Sequence, residues 1–408
     1  MNAIAKNKTA PRPLLPRLRF AEFRDAGEWE AQTLKEISEP VEERVGDRSL
    51  TPISISAGIG FVPQAEKFGR DISGNQYKLY TVIRDGDFVY NKGNSLKFPQ
   101  GCVYDLQGWG EAAAPNVFIC FRLKTGYENA FYRQCFERNL HGIQLRKQIT
   151  SGARSNGLLN ISKEVFYGIS IPTPQLEEQQ KIAACLSSLD ELITAQAQKV
   201  AALQTHKKGL LQQLFPRAGE TTPRLRFAEF RGEWGQEKLA ELITTITPPA
   251  KLQTSDYLAQ GSFPIIDQSQ EAICGWTNDA DAVVNESLPL IVFGDHTCAI
   301  KFVNEPFAQG ADGIKIIKAK TTIAIEYLFQ SINHNPLTMG DYKRHFSDLK
   351  ERAVFFPDIK SGEQQKIAAC LSSLDELITA QAQKVAALQT HKKGLMQQLF
   401  PAHDEASA

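Results

Sequence analysis

At 408 residues the chain is too long for one ordinary core and fits two domains plus connecting elements. It is 42% hydrophobic and 23% charged, which excludes global disorder. Its 46 basic and 46 acidic side chains cancel, which counts against gripping nucleic acid by bulk charge and leaves room only for local basic surfaces.

Residues 1–16 are basic and proline-rich and lack the continuous apolar core of a signal peptide. A flexible arm is expected there, with DNA contact as the alternative. Residues 17–172 form a first expected domain. It opens on PRLRFAEFR (16–24), with Trp29 close behind. YKLYTVIRDGDFVYNKG reads as strand, Asp-Gly turn, strand, and NVFICFRLK as a further strand. Basic and aromatic residues interleave through Lys78, Tyr80, Arg84, Tyr90, Lys92 and Lys97. Residues 131–147 are expected as one helix followed by a basic extended piece. Arg146, Lys147 and Arg154 frame Ser151, Gly152, Ser155, Asn156 and Gly157, where short polar groups suit phosphate or base contact and an ordinary solvent loop is the alternative.

Residues 173–217 are expected as a long helix. The apolar side chains recur at alternating spacings of four and three. The seam is Ile182, Leu186, Leu189, Ile193, Gln196, Val200, Leu203, Lys207, Leu210 and Leu214. Pro172 and Pro174 precede it and Pro216 ends it.

A second domain is expected over 218–358. It begins on PRLRFAEFR again (223–231), followed by Trp234. FPIIDQSQ, LPLIVFGDHTCAIKFV and ADGIKIIKAK are strand signals, with Gly294, Asp295, His296 and Thr297 at a hairpin tip. Asp295 and His296 lack the nucleophile or second carboxylate that catalysis needs, so a binding turn is expected. Lys315, Lys318 and Lys320 follow. Tyr342, Lys343, Arg344 and His345 then make a compact basic cluster, expected to contact DNA, with a charged solvated turn as the alternative. A second long helix is expected over 359–402, with a short tail at 403–408. Its seam is Ile367, Leu371, Leu374, Ile378, Gln381, Val385, Leu388, Lys392, Leu395 and Leu399.

The two helices are one sequence. Residues 178–216 and 363–401 differ only at Leu211, which becomes Met396. The duplication carries the short motif with it, whereas the regions between, roughly 25–172 and 232–357, show little similarity and differ in length. Two near-identical frames therefore carry two different inserts. Each helix of about 36 residues is ~54 Å long and must cover its stripe, most simply against the other copy. The expected fold is α/β (α+β), with two globular domains on a pseudo-twofold pair of long antiparallel coiled-coil helices. Lys207 and Lys392 are expected to lay their stems along the seam edge with the charge in water. The alternative is that polar seam residues fix the register.

His206 and His391 are expected as surface histidines. Seven cysteines without a CxxC pair fit reduced thiols in the cytoplasm, and Cys185 and Cys370 read as small core residues. No membrane span, P-loop, metal run or dinucleotide fingerprint is present in the sequence.

The near-identical helices, each opening EQQKIAACLSSLDELI, the motif PRLRFAEFR with Trp29 or Trp234, and FGDHTCAIKFV followed by QGADGIKII resemble the specificity subunits of type I restriction–modification systems. TPQLEEQQKIA (173–183) is similar to the hand-over from such a domain to its helix. The likeness covers the chain after the N-terminal arm. It implies two target recognition domains on double-stranded DNA, one for each half of a split, asymmetric sequence. It also implies two methyltransferase subunits that use S-adenosylmethionine to methylate adenine N6, and two restriction/translocase subunits that use ATP and Mg2+. The chain itself is then non-catalytic, binds no cofactor or metal, meets no membrane, and works in a bacterial or archaeal cytoplasm at the nucleoid. A coiled-coil structural adaptor with two protein-binding heads is the alternative.

Overall fold

The computed structural model describes residues 13–56, 58–93, 98–149, 158–217, 219–311, 313–337 and 344–402. Two compact units emerge, residues 1–195 with 385–408, and residues 196–384. Each unit is a mixed domain of sheet and short helices joined to the first half of one long helix and the second half of the other.

In the first unit, Glu30–Thr33 leads into a one-turn helix, Leu34–Ile37. Thr33 and Glu36 close a reciprocal capping box at its start. A four-stranded antiparallel sheet follows, in the spatial order Ser38–Pro40, Ile119–Leu123, Phe88–Asn91, Cys102–Asp105. The helix Asn129–Glu137 packs beside it, and Ser170–Thr173 returns to pair with Glu30–Thr33. The second unit repeats this plan. Gly235–Lys238 leads into Leu239–Leu242, and the sheet order is Ile243–Ile246, Ile314–Ala319, Leu290–Gly294, Ile300–Val303. The helix Ile325–His334 follows, and Ala353–Phe356 pairs back with Gly235–Lys238. Domains with little sequence similarity thus share one topology. What they share is burial on the strand faces: Phe88, Tyr90 and Phe121 in one and Ile291, Phe293 and Ile317 in the other lie in the two largest cores.

The duplicated motif explains why motif and helix were copied together. Arg19 forms a bidentate ion pair with Glu178 at 2.8 and 2.7 Å. Arg226 does the same with Glu363, at 2.7 Å twice. The carboxylates are 1% exposed, so each pair works in a weakly screened setting. The same motif also holds the end of the other long helix, since Leu18 N–H donates to the Gln398 carbonyl and Leu225 N–H to that of Gln213. Gln179 accepts from Glu128 N–H and donates to the Pro174 carbonyl, while Gln364 accepts from Ala324 N–H and donates to that of Pro357.

The long helices span Leu176–Leu214 and Glu363–Gln398. Within each unit they run antiparallel, the start of one beside the end of the other. Ile182, Leu186, Leu214, Ile367, Leu371 and Leu399 are buried. The intervening seam residues Leu189, Ile193, Val200, Leu203, Leu210, Leu374, Ile378, Val385, Leu388 and Leu395 are half-buried, as two helices alone leave them. His206 and His391 are exposed.

Four expectations are corrected. The seam lysines do not reach water. Lys207 Nζ sits 2.6 and 2.7 Å from the Asp375 carboxylate, and Lys392 sits 2.8 Å from Asp190 and 3.0 Å from Glu137. At a half-buried seam an unpaired ammonium is costly, so the carboxylates of the facing helix take it. Cys185 and Cys370 are partly exposed rather than core residues, because they point off the seam. The strands Thr81–Arg84 and Phe88–Asn91 flank the Asp-Gly turn but join different sheets. Asp87 drives this divergence: its buried carboxylate accepts from Arg84 N–H and from the Arg122 guanidinium. Residues 131–147 break into helices ending at Glu137 and starting at Leu140, with a 3-10 turn at Arg146–Gln148. Asn139, at φ 58°, makes the break, and Gly142 must lack a Cβ there because one would stand 2.2 Å from the Asn139 side chain.

Candidate nucleic-acid interface

The shared topology brings loops to the same end of both sheets. In the first unit the loop after Asn91 meets the segment leading to the last short helix. Leu159 N–H donates to the Lys92 carbonyl at 2.9 Å, and Gly93 bridges to Leu158. Lys92 Nζ donates to the Ile161 carbonyl at 2.9 Å, so this lysine ties the two segments together. His141 Nε2 lies 3.3 Å from the Gly101 carbonyl and holds the helix 140–145 against the same loop. A cleft of about 260 Å³ opens between them, lined by Pro99, Gln100, Asn139, Ile143, Arg146 and Lys147. Arg146 and Lys147 are exposed, with no acidic partner among the described residues.

The second unit builds the equivalent place from different chemistry. The tight turn after Gly294 replaces the longer loop. Asp295 is buried: its carbonyl accepts from His345 N–H at 2.9 Å and its carboxylate from Phe346 N–H at 2.8 Å. Thr297 Oγ donates to the Gln268 carbonyl at 2.5 Å, adding the 267–271 loop. His296 is half-buried on the turn, and Cys298 takes the left-handed conformation at φ 56°. Lys315, opposite Phe293 in the sheet, stands 6.0 Å from the Phe346 ring centre, and Lys350 stands 5.6 Å from it. Arg344 is exposed just before them. Two lysines thus flank one aromatic next to the hairpin tip, with the exposed Arg344 two residues before it in sequence, a local basic surface on a chain of zero net charge.

The remaining sequence-derived residues go elsewhere. Lys78 pairs with Asp47 at 2.6 Å, and Arg84 pairs with Glu43 and Glu111 at 2.7 and 2.9 Å. The Arg84 guanidinium holds the Glu43 carboxyl below its usual range, so this carboxylate stays charged and competes with any phosphate. Lys318 pairs with Glu286, whereas Lys320 is exposed. Lys97, Arg154, Asn156, Tyr342 and Lys343 lie outside the described residues, as do Ser151, Gly152, Ser155 and Gly157. Lys350 and the Gln268 loop were missed, since a single lysine in a short helix and a polar loop carry no periodic signal. Among the described residues no group of three or more His, Cys, Asp or Glu is placed to hold a metal ion, and no helix is long and apolar enough to cross a membrane.

Residues 101–205, which include Arg146 and Lys147, match the family described as type I restriction modification DNA specificity domain. The chain is 31% identical over 107 residues to the type I restriction enzyme MjaVIII specificity subunit of Methanocaldococcus jannaschii, covering 25% of each. It is 27% identical over 273 residues to the putative type I restriction enzyme MjaX specificity subunit of the same organism, covering 59% of this chain and 60% of that one. The fold matches the crystal structure of a type I restriction–modification system S subunit from M. genitalium, with a TM-score of 0.65 at 15% identity, over 95% of this chain and all of that one. The family model thus covers about a quarter of the chain, and the whole chain shares the fold of a type I S subunit. The aligned parts span between a quarter and 60% of the curated relatives' length. The family match runs from the first domain's central sheet into its long helix, the part that carries the basic cleft.

Proposed function

We propose that this chain is a specificity subunit that reads a split, asymmetric DNA target, one half with each domain, and lends that choice to partner subunits that do the chemistry. One observation carries the reading. The same strand order and the same duplicated joints recur in both units, while the loops at the equivalent sheet end differ in length, charge and aromatic content. Residues that build the frame are repeated and residues that face outward at the loops are not, as expected for two readers with different targets.

Arg146 and Lys147 in the first unit, and Lys315, Arg344 and Lys350 in the second, are the phosphate-facing cations of this reading, with Thr297 and His296 nearer the bases. Lys92 positions its loop instead. Two methyltransferase subunits dock on the two copies of the frame, because identical surfaces at two places suit two copies of one partner. They use S-adenosylmethionine to methylate adenine N6. Two restriction/translocase subunits use ATP and Mg2+. This chain supplies neither reaction and holds none of these cofactors. Its place is a bacterial or archaeal cytoplasm, on the nucleoid.

The test is selection of random duplexes by the complex of this chain with the methyltransferase encoded beside it. Two separated conserved blocks are expected. Arg146→Ala with Lys147→Ala weakens binding and lowers the salt slope by about two, roughly one per lost phosphate contact. Recovery of no common sequence by an assembled complex contradicts the reading and favours the adaptor with two protein-binding heads.

A further inference from the structure

The lysines in the helix seam form a duplicated clamp. In the second unit Lys207 Nζ is 2.6 Å from Asp375, whose other oxygen accepts from Gln330 Nε2 at 3.0 Å. In the first unit Lys392 Nζ is 2.8 Å from Asp190, and Gln134 Nε2 reaches the other Asp190 oxygen at 3.4 Å. Asp190 and Asp375, and Lys207 and Lys392, are the same positions of the repeat. Gln134 and Gln330 occupy matching places in the domain helices, and both are fully buried. Each clamp therefore joins three elements: the start of one long helix, the end of the other, and the recognition domain.

We infer that these two clamps set the register of the helix pair and so fix the spacing between the two half-sites that the subunit accepts. This inference rests on the reading above. Apolar seams specify register weakly, since a slip of one heptad exchanges one aliphatic layer for another. The seam glutamines do not supply the missing specificity, because the amide oxygens of Gln196 and Gln381 are buried without a hydrogen-bond partner. The lysines do. Slipping the helices by one heptad in either direction brings Lys392 opposite Ala183 or Ala197, and Lys207 opposite Ala368 or Ala382. Both ammonium groups then lose the carboxylate of the facing helix together. The ammonium groups are largely buried while Asp190 and Asp375 stay about two-fifths exposed, so each pair adds little to stability, but a slip that strands the ammonium away from its carboxylate is disfavoured. The slip itself moves one helix by about 10 Å along the other, the rise of about three base pairs. The clamps stand 17 residues apart on either helix, Asp190 to Lys207 and Asp375 to Lys392, or about 26 Å of continuous helix. Lys392 has a further carboxylate partner, Glu137, on the recognition domain.

The experiment maps N6-methyladenine across a host genome expressing the full chain with its methyltransferase. It compares the intact chain with Lys207→Met/Lys392→Met, and with that background carrying Lys207→Asp/Asp375→Lys in place of Lys207→Met. The intact chain gives one spacer length. The double methionine variant keeps both half-sites, but methylation at sites with other spacer lengths rises about tenfold or more relative to the original spacer. The reversed pair restores a single spacer, since the Gln330 amide can turn its oxygen to the new ammonium. A double variant with lower total methylation but an unchanged single spacer overturns the proposal and leaves the lysines a merely structural role. If the double variant does not accumulate as a folded complex, Lys207→Met alone is read in the same way. Absence of any split site from the intact chain instead overturns the recognition reading, and the clamp proposal falls with it.

Discussion

His141 is buried among Tyr90, Phe136 and the Gly101 carbonyl, and burial pushes its pKa down to about 4. The folded state keeps the ring neutral while the unfolded chain takes a proton as pH falls through about 6.5. Stability is therefore full above that value and declines as pH falls from about 6.5 towards 4. Urea unfolding is expected to show a loss of about 2 kcal/mol between pH 7 and pH 5 that His141→Leu abolishes. An equal loss in both proteins refutes this role. Arg19 makes a second case. Arg19→Ala strands the Glu178 carboxylate and costs about 3–5 kcal/mol, whereas Arg19→Met with Glu178→Met costs less than the single change. A double-mutant cycle on the unfolding midpoint separates the two. Neither His141 nor the Arg19 pair was legible as such. A lone histidine has no sequence signature of its burial, and the acidic partner lies 159 positions away. The signal that could have found the pair is duplication: Arg19 and Glu178 recur as Arg226 and Glu363.

Among elements, the strands and long helices follow from periodicity because each face is buried by one neighbour. The strand pairing did not follow. Whether Thr81–Arg84 continues into the sheet of Phe88–Asn91 depends on where the Asp87 carboxylate finds its partners, and Arg122 lies on a third strand. The break at Asn139 was hidden likewise, because the apolar spacing continues across it. The single difference between the helix copies has a physical meaning. Met396 packs into the first domain's core while Leu211 lies half-buried at the edge of the second domain's. The flexible thioether fits a domain surface that is not repeated. Met396→Ala is expected to cost about 2–4 kcal/mol and Leu211→Ala about half as much, in chemical unfolding of the full chain. The reverse order contradicts the packing.

On the scale of the whole molecule, the duplicated frame was written openly in the sequence, and the readers were not. The frame is repeated side chain for side chain, down to Lys181 with Glu22 and Lys366 with Glu229. The domains share only a pattern of buried strand faces, which many sequences satisfy, and the loops that the proposed function assigns to DNA carry no periodic signal. The predicted basic residues are scattered in space: Arg146 and Lys147 share a cleft, while Lys78 and Arg84 are neutralised elsewhere. The proposed function requires two different readers acting at a spacing that the helices set. The direct measurement is a genome-wide map of N6-methyladenine from the full chain with its methyltransferase, beside a variant lacking residues 193–199 and 378–384. That deletion removes one heptad from each helix and preserves both clamps. The intact chain is expected to methylate a split motif, and the shortened one to lose that spacing, reading either the same half-sites closer together by about three base pairs or no site at all. Methylation of the original motif at its original spacing by the shortened chain contradicts the account.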